Sequence, residues 1–422
     1  MKYDVAIIGA GAAGLAAARD LSGAGRSTVL LEARDRIGGR IHTLHPAGLP
    51  LAIELGAEFV HGNVASTFSI IDAAALLACR LPDDHWWSEH GRRERIDDFW
   101  GLIDRVRARI GSRKKDLSFA AFLRAQRNLD ERTRLLACSF VEGYHAAHAE
   151  RMSTLVLQSA DQEQAEDDNA QFRVPGGYDA VIAWLRAGVQ PQRTELRLST
   201  PVTSVRWSGG DVAITTAHGE TIRARAAVLT LPIGVWKLGT IRFDPPLQEK
   251  ESALAKLEAG HVVKMTFRFR EPWWDDFNFL HTSDRFMPTW WTTAPLRSPL
   301  LTGWAGGHAA DALLAEGQDA MQERALDAMA RAFDRPRREL ERELAGVWTH
   351  DWQSDPFSRC AYSYAAVGGA NANAELARPL RKTLFFAGEA TSSDQTGTVA
   401  GAIESGQRAA AEVLRGGRPG GR

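Results

Sequence analysis

The chain is 422 residues long, 44% hydrophobic and 24% charged, with a formal net charge of −1 and three cysteines. That length holds two or three domains of ~100–200 residues, and the near-zero charge excludes a global field for nucleic acid or an anionic membrane. No apolar run reaches the ~20 residues of a spanning helix, and Cys79, Cys138 and Cys360 lie far apart with no C-x-x-C, which argues against a disulfide framework or a metal site and suits a reducing, cytoplasmic compartment.

The first element is Asp4-Val5-Ala6-Ile7-Ile8, a buried strand that runs into Gly9-Ala10-Gly11-Ala12-Ala13-Gly14. Lys2 before an apolar run mimics a signal peptide, but no cleavage region follows, so a nucleotide-binding strand is the better reading. The glycines form G-x-G-x-x-G: one for the tight turn, one for close approach of a pyrophosphate, one for helix–strand packing. The following helix would turn its free N–H groups and positive dipole end toward phosphates. Ser27 to Leu31 reads as the next strand and ends in Glu32, close to the ~20-residue offset of an acid that binds a ribose hydroxyl. On its own the pattern also fits a small-residue turn, and it leaves NAD and FAD both open.

Next come Arg34 to Arg40, where Gly38 and Gly39 between arginines make a second loop able to hold a diphosphate, and Ile53 to Gly62, with Glu58 and His61 inside an apolar run. A histidine in such a run is commonly a satisfied structural residue. Apolar spacing of three and four predicts a mostly helical stretch from about 66 to 172. Its basic residues Arg105, Arg107, Arg109, Arg113, Lys114 and Lys115 read as a solvated face and loop, and so does the acidic run 161–168.

Strand signals return at Leu196–Leu198, Val202–Trp207, Val212–Thr216 and Ala226–Thr230, a return to the nucleotide unit after a helical insertion. Val262 to Phe269 alternates, with Val263, Met265, Phe267 and Phe269 on one face and Lys264, Thr266 and Arg268 on the other; spacing alone makes Lys264 a polar-face lysine. Strand-like pieces follow at 289–291 and 300–304, and a helix at 312–331. Ten of the thirteen tryptophans fall at 86–100 or 273–352, which predicts an aromatic-lined cavity in a second unit. Leu384 to Ala390 and Gly397 to Gly406 repeat the strand, loop and small-residue helix of the N-terminus, and the glycine-rich tail from Arg415 is expected to be disordered.

In this order, these anchors resemble the flavin-dependent amine oxidase family of monoamine oxidases, polyamine oxidases and lysine-specific histone demethylases, and the resemblance covers nearly the whole chain. It implies an α/β fold in which a Rossmann-like FAD-binding domain, 1–77, 175–262 and 368–422, is interleaved with an α+β substrate domain, 78–174 and 263–367. It implies FAD contacts from Gly9, Gly11, Ala13, Gly14, Glu32, Ala33, Arg34, Gly39 and Arg40 at the ADP end. Beside the flavin it implies Gly56, Ala57, Glu58, Phe59 and Trp352, with Val202 at the adenine and Gly388, Glu389, Thr398, Val399 and Ala402 from the C-terminal segment. Lys264 matches the family lysine that holds a water against the flavin, and His61, Trp304, Tyr362 and Thr398 match the substrate cavity. Where monoamine oxidases carry the cysteine that bonds FAD, this chain has Ala361 with Cys360 one residue off, so FAD is expected to be non-covalent.

The implied reaction oxidises a small-molecule amine to an imine, hydrolysed to a carbonyl compound and an amine, with dioxygen reduced to hydrogen peroxide. His61 and nearby acids point to a polyamine-like substrate, the tryptophans to a hydrophobic amine. The alternatives are an L-amino-acid oxidase, which needs a cavity arginine, an amine dehydrogenase with another acceptor, and a non-catalytic flavin-binding scaffold. The expected form is a monomer or homodimer with no nucleic-acid or membrane partner.

Overall fold

Strand Lys2–Ile8 sits at the centre of the first sheet because its side chains are apolar on both faces: Val5, Ala6, Ile7 and Ile8 are each at most 4% exposed. Such strands suit a parallel sheet covered on both sides. It runs parallel to Thr28–Leu31 on one side and to Thr221–Leu229 on the other, with Thr194–Arg197 parallel beyond Thr28–Leu31. The C-terminal half of Thr221–Leu229 takes Leu384–Phe386 in parallel, so strands from both chain ends share this sheet. Its N-terminal half begins an antiparallel meander with Asp211–Thr216 and Val202–Ser208, edged by Arg242–Asp244. The computed structural model describes residues 2–89, 91–111, 115–159 and 170–416. The acidic run 161–168, Arg113, Lys114 and the tail beyond Gly416 therefore lie outside the described residues.

Gly9 holds φ +105° and turns the chain from Ile8 into helix Ala12–Gly23. A Cβ on Gly14 would lie 1.8 Å from the Gly9 carbonyl oxygen, so only glycine lets this helix start so close to its strand. The same helix packs along the C-terminal helix Val399–Gly416, whose Gly406 approaches Ala13: a Cβ there would lie 2.1 Å from the Ala13 oxygen. Ala-rich faces on both helices allow that approach.

The second sheet is mixed and orders its strands Leu344–Thr349, Val262–Phe269, Leu300–Gly306, Thr289–Trp291, Phe279–Thr282, His85–Glu89 and Arg92–Ile96. Val263, Met265, Phe267 and Phe269 face one core with Leu313, Leu326 and Met329 from the helices that follow. A third core gathers Phe99, Ile103, Phe122, Leu136 and Val141 from the helices Phe99–Ala108, Phe119–Ala125 and Glu131–Tyr144. Among the described residues no helix is long and apolar enough to cross a membrane.

Three expectations need correction. The stretch 66–172, expected to be mostly helical, alternates helices with strands: Cys79–Arg80, His85–Glu89, Arg92–Ile96 and Gln171–Arg173 are strands. His85–Glu89 is drawn into the second sheet by parallel pairing with Phe279–Thr282, a tertiary contact invisible to local periodicity. The helix expected at 312–331 is two helices, Gly307–Glu316 and Gln318–Phe333, broken where Gly317 takes φ +83°. Arg107 is not solvated; it is 8% exposed and donates to the Leu157 carbonyl at 3.2 Å, while Arg105, Arg109 and Lys115 are exposed as expected.

The glycine contact between the terminal helices gives a direct test. Gly406→Ala should lower the free energy of unfolding by about 1–3 kcal/mol, because backbone must move to admit the methyl group. Gly23→Ala, where a Cβ meets nothing within 4 Å, should be neutral or stabilising. Urea denaturation of both variants decides; equal midpoints would contradict the packing described.

Candidate active site

The two sheets and the terminal helices enclose one large cavity of about 1010 Å³. Every residue expected from the resemblance to contact cofactor or substrate lines it except Gly14, which lies under the turn and serves the helix–strand contact. The cavity has two chemically distinct ends.

The first end is the glycine turn. Gly11 forms a backbone bridge to Gly38, and a Cβ on Gly11 would meet nothing nearer than 3.9 Å. Helix Ala12–Gly23 starts here with a glycine cap and no acid in its first turn. An anion is therefore met by open space, backbone N–H groups and a helix N-terminus. Glu32 is 4% exposed and accepts from the Ala10 N–H at 2.7 Å and the Arg34 N–H at 2.9 Å, which fixes it at the end of its strand. Arg34 is held by Asp355 at 2.7 Å and Ser358 at 2.8 Å. Arg40 donates to Glu389 at 3.0 Å and to the Ala361 carbonyl at 2.7 Å. Neither guanidinium is free, so both serve here first as struts. Sequence reasoning missed Arg359, which lines this cavity and keeps a buried Nε with no protein partner. A narrow glycine cradle, an uncapped helix start and an orphaned guanidinium nitrogen fit the diphosphate of a dinucleotide.

Between the ends lies the strip Leu55 to Phe59. A Cβ on Gly56 would fall 1.8 Å from the Arg40 oxygen and 3.1 Å from the Trp352 ring, and Trp352 donates to the Leu55 carbonyl at 2.9 Å. Against this strip stands Lys264, 5% exposed, its Nζ 2.5 Å from Glu58 Oε2 and 3.2 Å from the Gly56 carbonyl. Glu58 Oε1 also accepts from Arg173 at 2.9 Å and from the Trp291 indole at 3.2 Å. Burial alone would raise the Glu58 pKa; Lys264 and Arg173 outweigh it and hold the carboxyl below its ordinary value. Lys264 is thus an ion-paired residue at the cavity wall, not a polar-face lysine. Arg173 and Trp291 were not foreseen because each comes from a strand distant in sequence.

The far end is aromatic. Tyr362 donates to the Tyr144 carbonyl at 2.9 Å, and Trp304 donates to the Gly143 carbonyl at 2.9 Å. Thr398 is occupied as a helix cap, accepting from the Gly401 N–H at 3.0 Å and donating to the Gln395 carbonyl at 2.9 Å. Of the ten clustered tryptophans, Trp100, Trp291, Trp304 and Trp352 line the cavity; the others pack elsewhere. His61 lies edge-on to Tyr144 at 5.1 Å and its Nδ1 has no partner, while burial drops its pKa to about 4. Burial, helped by nearby Arg107, drops His145 to about 3. His85 and His281, joined by a 2.9 Å hydrogen bond, are also lowered by burial. Tyr144 shows 38% of its surface, yet burial pushes its hydroxyl pKa up to about 12, because the surface it shows lines the cavity.

A sequence profile of the family described as flavin containing amine oxidoreductase matches residues 12–414. A polyamine oxidase of Oryza sativa subsp. japonica is 30% identical over 437 residues, covering 96% of this chain and 88% of the relative. A human lysine-specific histone demethylase is 29% identical over 455 residues, covering 97% of this chain and 53% of the relative. A putrescine oxidase structure bound to putrescine has the same fold, with a TM-score of 0.83 at 23% identity, over 98% of this chain and 99% of that one. The cyclohexylamine oxidase of Brevibacterium oxydans IH-35A superposes with a TM-score of 0.80 at 21% identity, over 98% and 99%.

The neutral histidines set an acid limit on stability. A histidine whose folded pKa is depressed binds its proton more readily when unfolded, so stability present above pH 6.5 is lost as pH falls toward the folded value. His145, ordinarily near 6.5 and held to about 3, should cost up to about 2 kcal/mol between pH 6.5 and pH 5. His145→Gln should shrink the loss of urea stability between pH 7 and pH 5; an undiminished loss would show that His145 already binds a proton in the folded chain.

Proposed function

We propose that this chain, which belongs to the flavin-containing amine oxidoreductase family, binds FAD non-covalently and oxidises a small amine to an imine with dioxygen as acceptor. The observation that carries the reading is the buried Lys264, fixed by Glu58 and the Gly56 carbonyl beside the strip that would face the flavin ring. When bound, FAD would supply the two-electron acceptor for a hydride from the carbon next to nitrogen.

The residues of the chain do the rest. The Gly9–Gly14 turn, Glu32, Ala33, Val202 and Arg359 would hold the ADP half, and Gly388, Val399 and Ala402 would close on the cofactor from the C-terminal side. Lys264 has three donors, and Glu58 and the Gly56 carbonyl take two of them. The third would position a water in the cavity. That water would hydrolyse the imine to a carbonyl compound and an amine, or deliver protons as dioxygen takes two electrons and two protons to become hydrogen peroxide. An amine must be neutral to release hydride, and the far end, walled by aromatic rings, disfavours the ammonium form. No strong side-chain base is required.

Cys360 supports non-covalent attachment. It is fully buried and off the cavity wall, and burial pushes its thiol up to about 11, which keeps it unreactive. An L-amino-acid substrate is less well served, because the lining arginines Arg34 and Arg40 are already bound to Asp355 and Glu389, and the third, Arg359, belongs to the end that would hold the cofactor's diphosphate. The same reading includes the division into a cofactor domain, 1–77, 175–262 and 368–422, and a substrate domain, 78–174 and 263–367, and a cytoplasmic monomer or homodimer.

Two measurements test this. Acid precipitation should leave the yellow flavin in the supernatant; a yellow pellet means a covalent bond. Lys264→Met should retain FAD in its absorbance spectrum while slowing reoxidation or turnover by about 100-fold, a typical size for a positioned proton-transfer group. Half-reaction rates equal to the wild type in stopped flow would remove Lys264 from the mechanism.

A further inference from the structure

The sequence left a polyamine and a hydrophobic amine both open, and relatives and structural neighbours include oxidases of both kinds. The cavity's charges separate them. A di- or polyamine carries a second ammonium that must go somewhere, and burying it without a carboxylate is costly.

Four carboxylates line the cavity: Glu32, Glu58, Glu389 and Asp394. Three are spoken for. Glu32 is fixed by two backbone N–H groups at the glycine turn. Glu389 takes Arg40 on one oxygen and the Ser363 hydroxyl on the other, at 3.0 and 2.6 Å. Glu58 already serves Lys264, Arg173 and Trp291, two cations to one anion. Asp394 is exposed, and a carboxylate in water offers an ammonium little.

The far end holds imidazoles instead, and an imidazole offers a lone pair at most, not an anion's charge: His61 Nδ1 has no partner, and His85 Nε2 lies 3.3 Å from the exposed Asp83. His85 Nδ1 and His281 Nε2 share one hydrogen bond of 2.9 Å, and both rings stack on Phe99, at 4.1 and 4.8 Å between centroids. Behind this wall stands the buried guanidinium of Arg107, which acts on both Tyr144 and His145 and is itself paired with Asp104 at 3.5 Å. A second ammonium at this end would meet aromatic rings and imidazoles, with no buried carboxylate among the described residues of the wall to pair with it.

We propose that the cavity accepts amines with a single basic nitrogen on an apolar body, and rejects diamines and polyamines. This rests on the amine-oxidising reading above. The aromatic walls then become the specificity element, since they reward apolar area that a polyamine does not offer.

The test compares shapes matched in length. The holoenzyme, kept anaerobic, is mixed with n-pentylamine or with putrescine, which differ in a terminal methyl against a terminal ammonium, and bleaching of the flavin absorbance is followed. Phenethylamine and spermidine extend the comparison. The monoamines should bleach the flavin at least ~100-fold faster at equal concentration. Binding is read separately with tert-amylamine, which has no hydrogen on the carbon next to nitrogen; it should perturb the oxidised spectrum and compete with pentylamine. Bleaching by putrescine or spermidine as fast as by pentylamine overturns the inference and leaves the amine oxidase reading standing. Bleaching by no amine of either set overturns that reading, and the inference with it.

Discussion

The carboxylate of Glu58 is the interaction on which the site depends. It lies at the end of the Leu55–Phe59 strip and reaches Lys264 of one strand, Arg173 of another and Trp291 of a third. Arg173 completes its set by donating to the carbonyls of Thr292 and Ala294, at 3.1 and 2.9 Å. Bringing these charges out of water is expensive, and the attraction repays it only because nearly every donor has an acceptor. The arrangement is therefore intolerant of loss: removing the one anion would leave two buried cations facing each other. That intolerance fixes the ammonium of Lys264 in place, which a flexible lysine stem would not do alone.

A second strut joins the chain ends. Arg40, from the loop after the glycine turn, meets Glu389, from the C-terminal turn, and Glu389 holds Ser363 on its other oxygen. The terminal helices touch through Gly406 and Ala13, and Leu384–Phe386 pairs into the sheet that Lys2–Ile8 centres. A cavity shared by both termini cannot form until the whole chain has folded. The glycine turn and the Leu55–Phe59 strip are thus set by long-range packing, although the motifs that mark them are local.

That distinction explains what was legible in the sequence. Gly9, Gly11 and Gly14 could be read because a turn, a close approach and a helix–strand contact are problems solved within a few residues. The alternation of Val262–Phe269 was also legible, but its meaning was not. Alternation ordinarily marks a strand with one wet face; here Lys264 and Thr266 are 5% exposed, because the Gly56 strip covers the second face. The tryptophans were counted correctly and located poorly, since composition does not say which rings face a cavity and which fill a core. Tyr144, His145 and His281 went unread, and Arg107 was read as solvated, because each looks ordinary in its own segment and acquires meaning only beside the others.

Taken together, the charges around the cavity link the proposed chemistry to the proposed selectivity. Lys264 and Arg173 outnumber Glu58 at the middle of the cavity, no buried carboxylate among the described residues lines the far end, and burial lowers the pKa of the histidines there. A positive, poorly hydrated surrounding lowers the pKa of any amine that enters, because it opposes the ammonium form. One nitrogen can meet that demand by releasing its proton at the mouth, and it arrives as the free base that hydride transfer needs. A second nitrogen would have to release another proton at a further cost, with no gain at the reacting carbon. The feature that prepares one amine for oxidation is the feature that makes a second amine a burden.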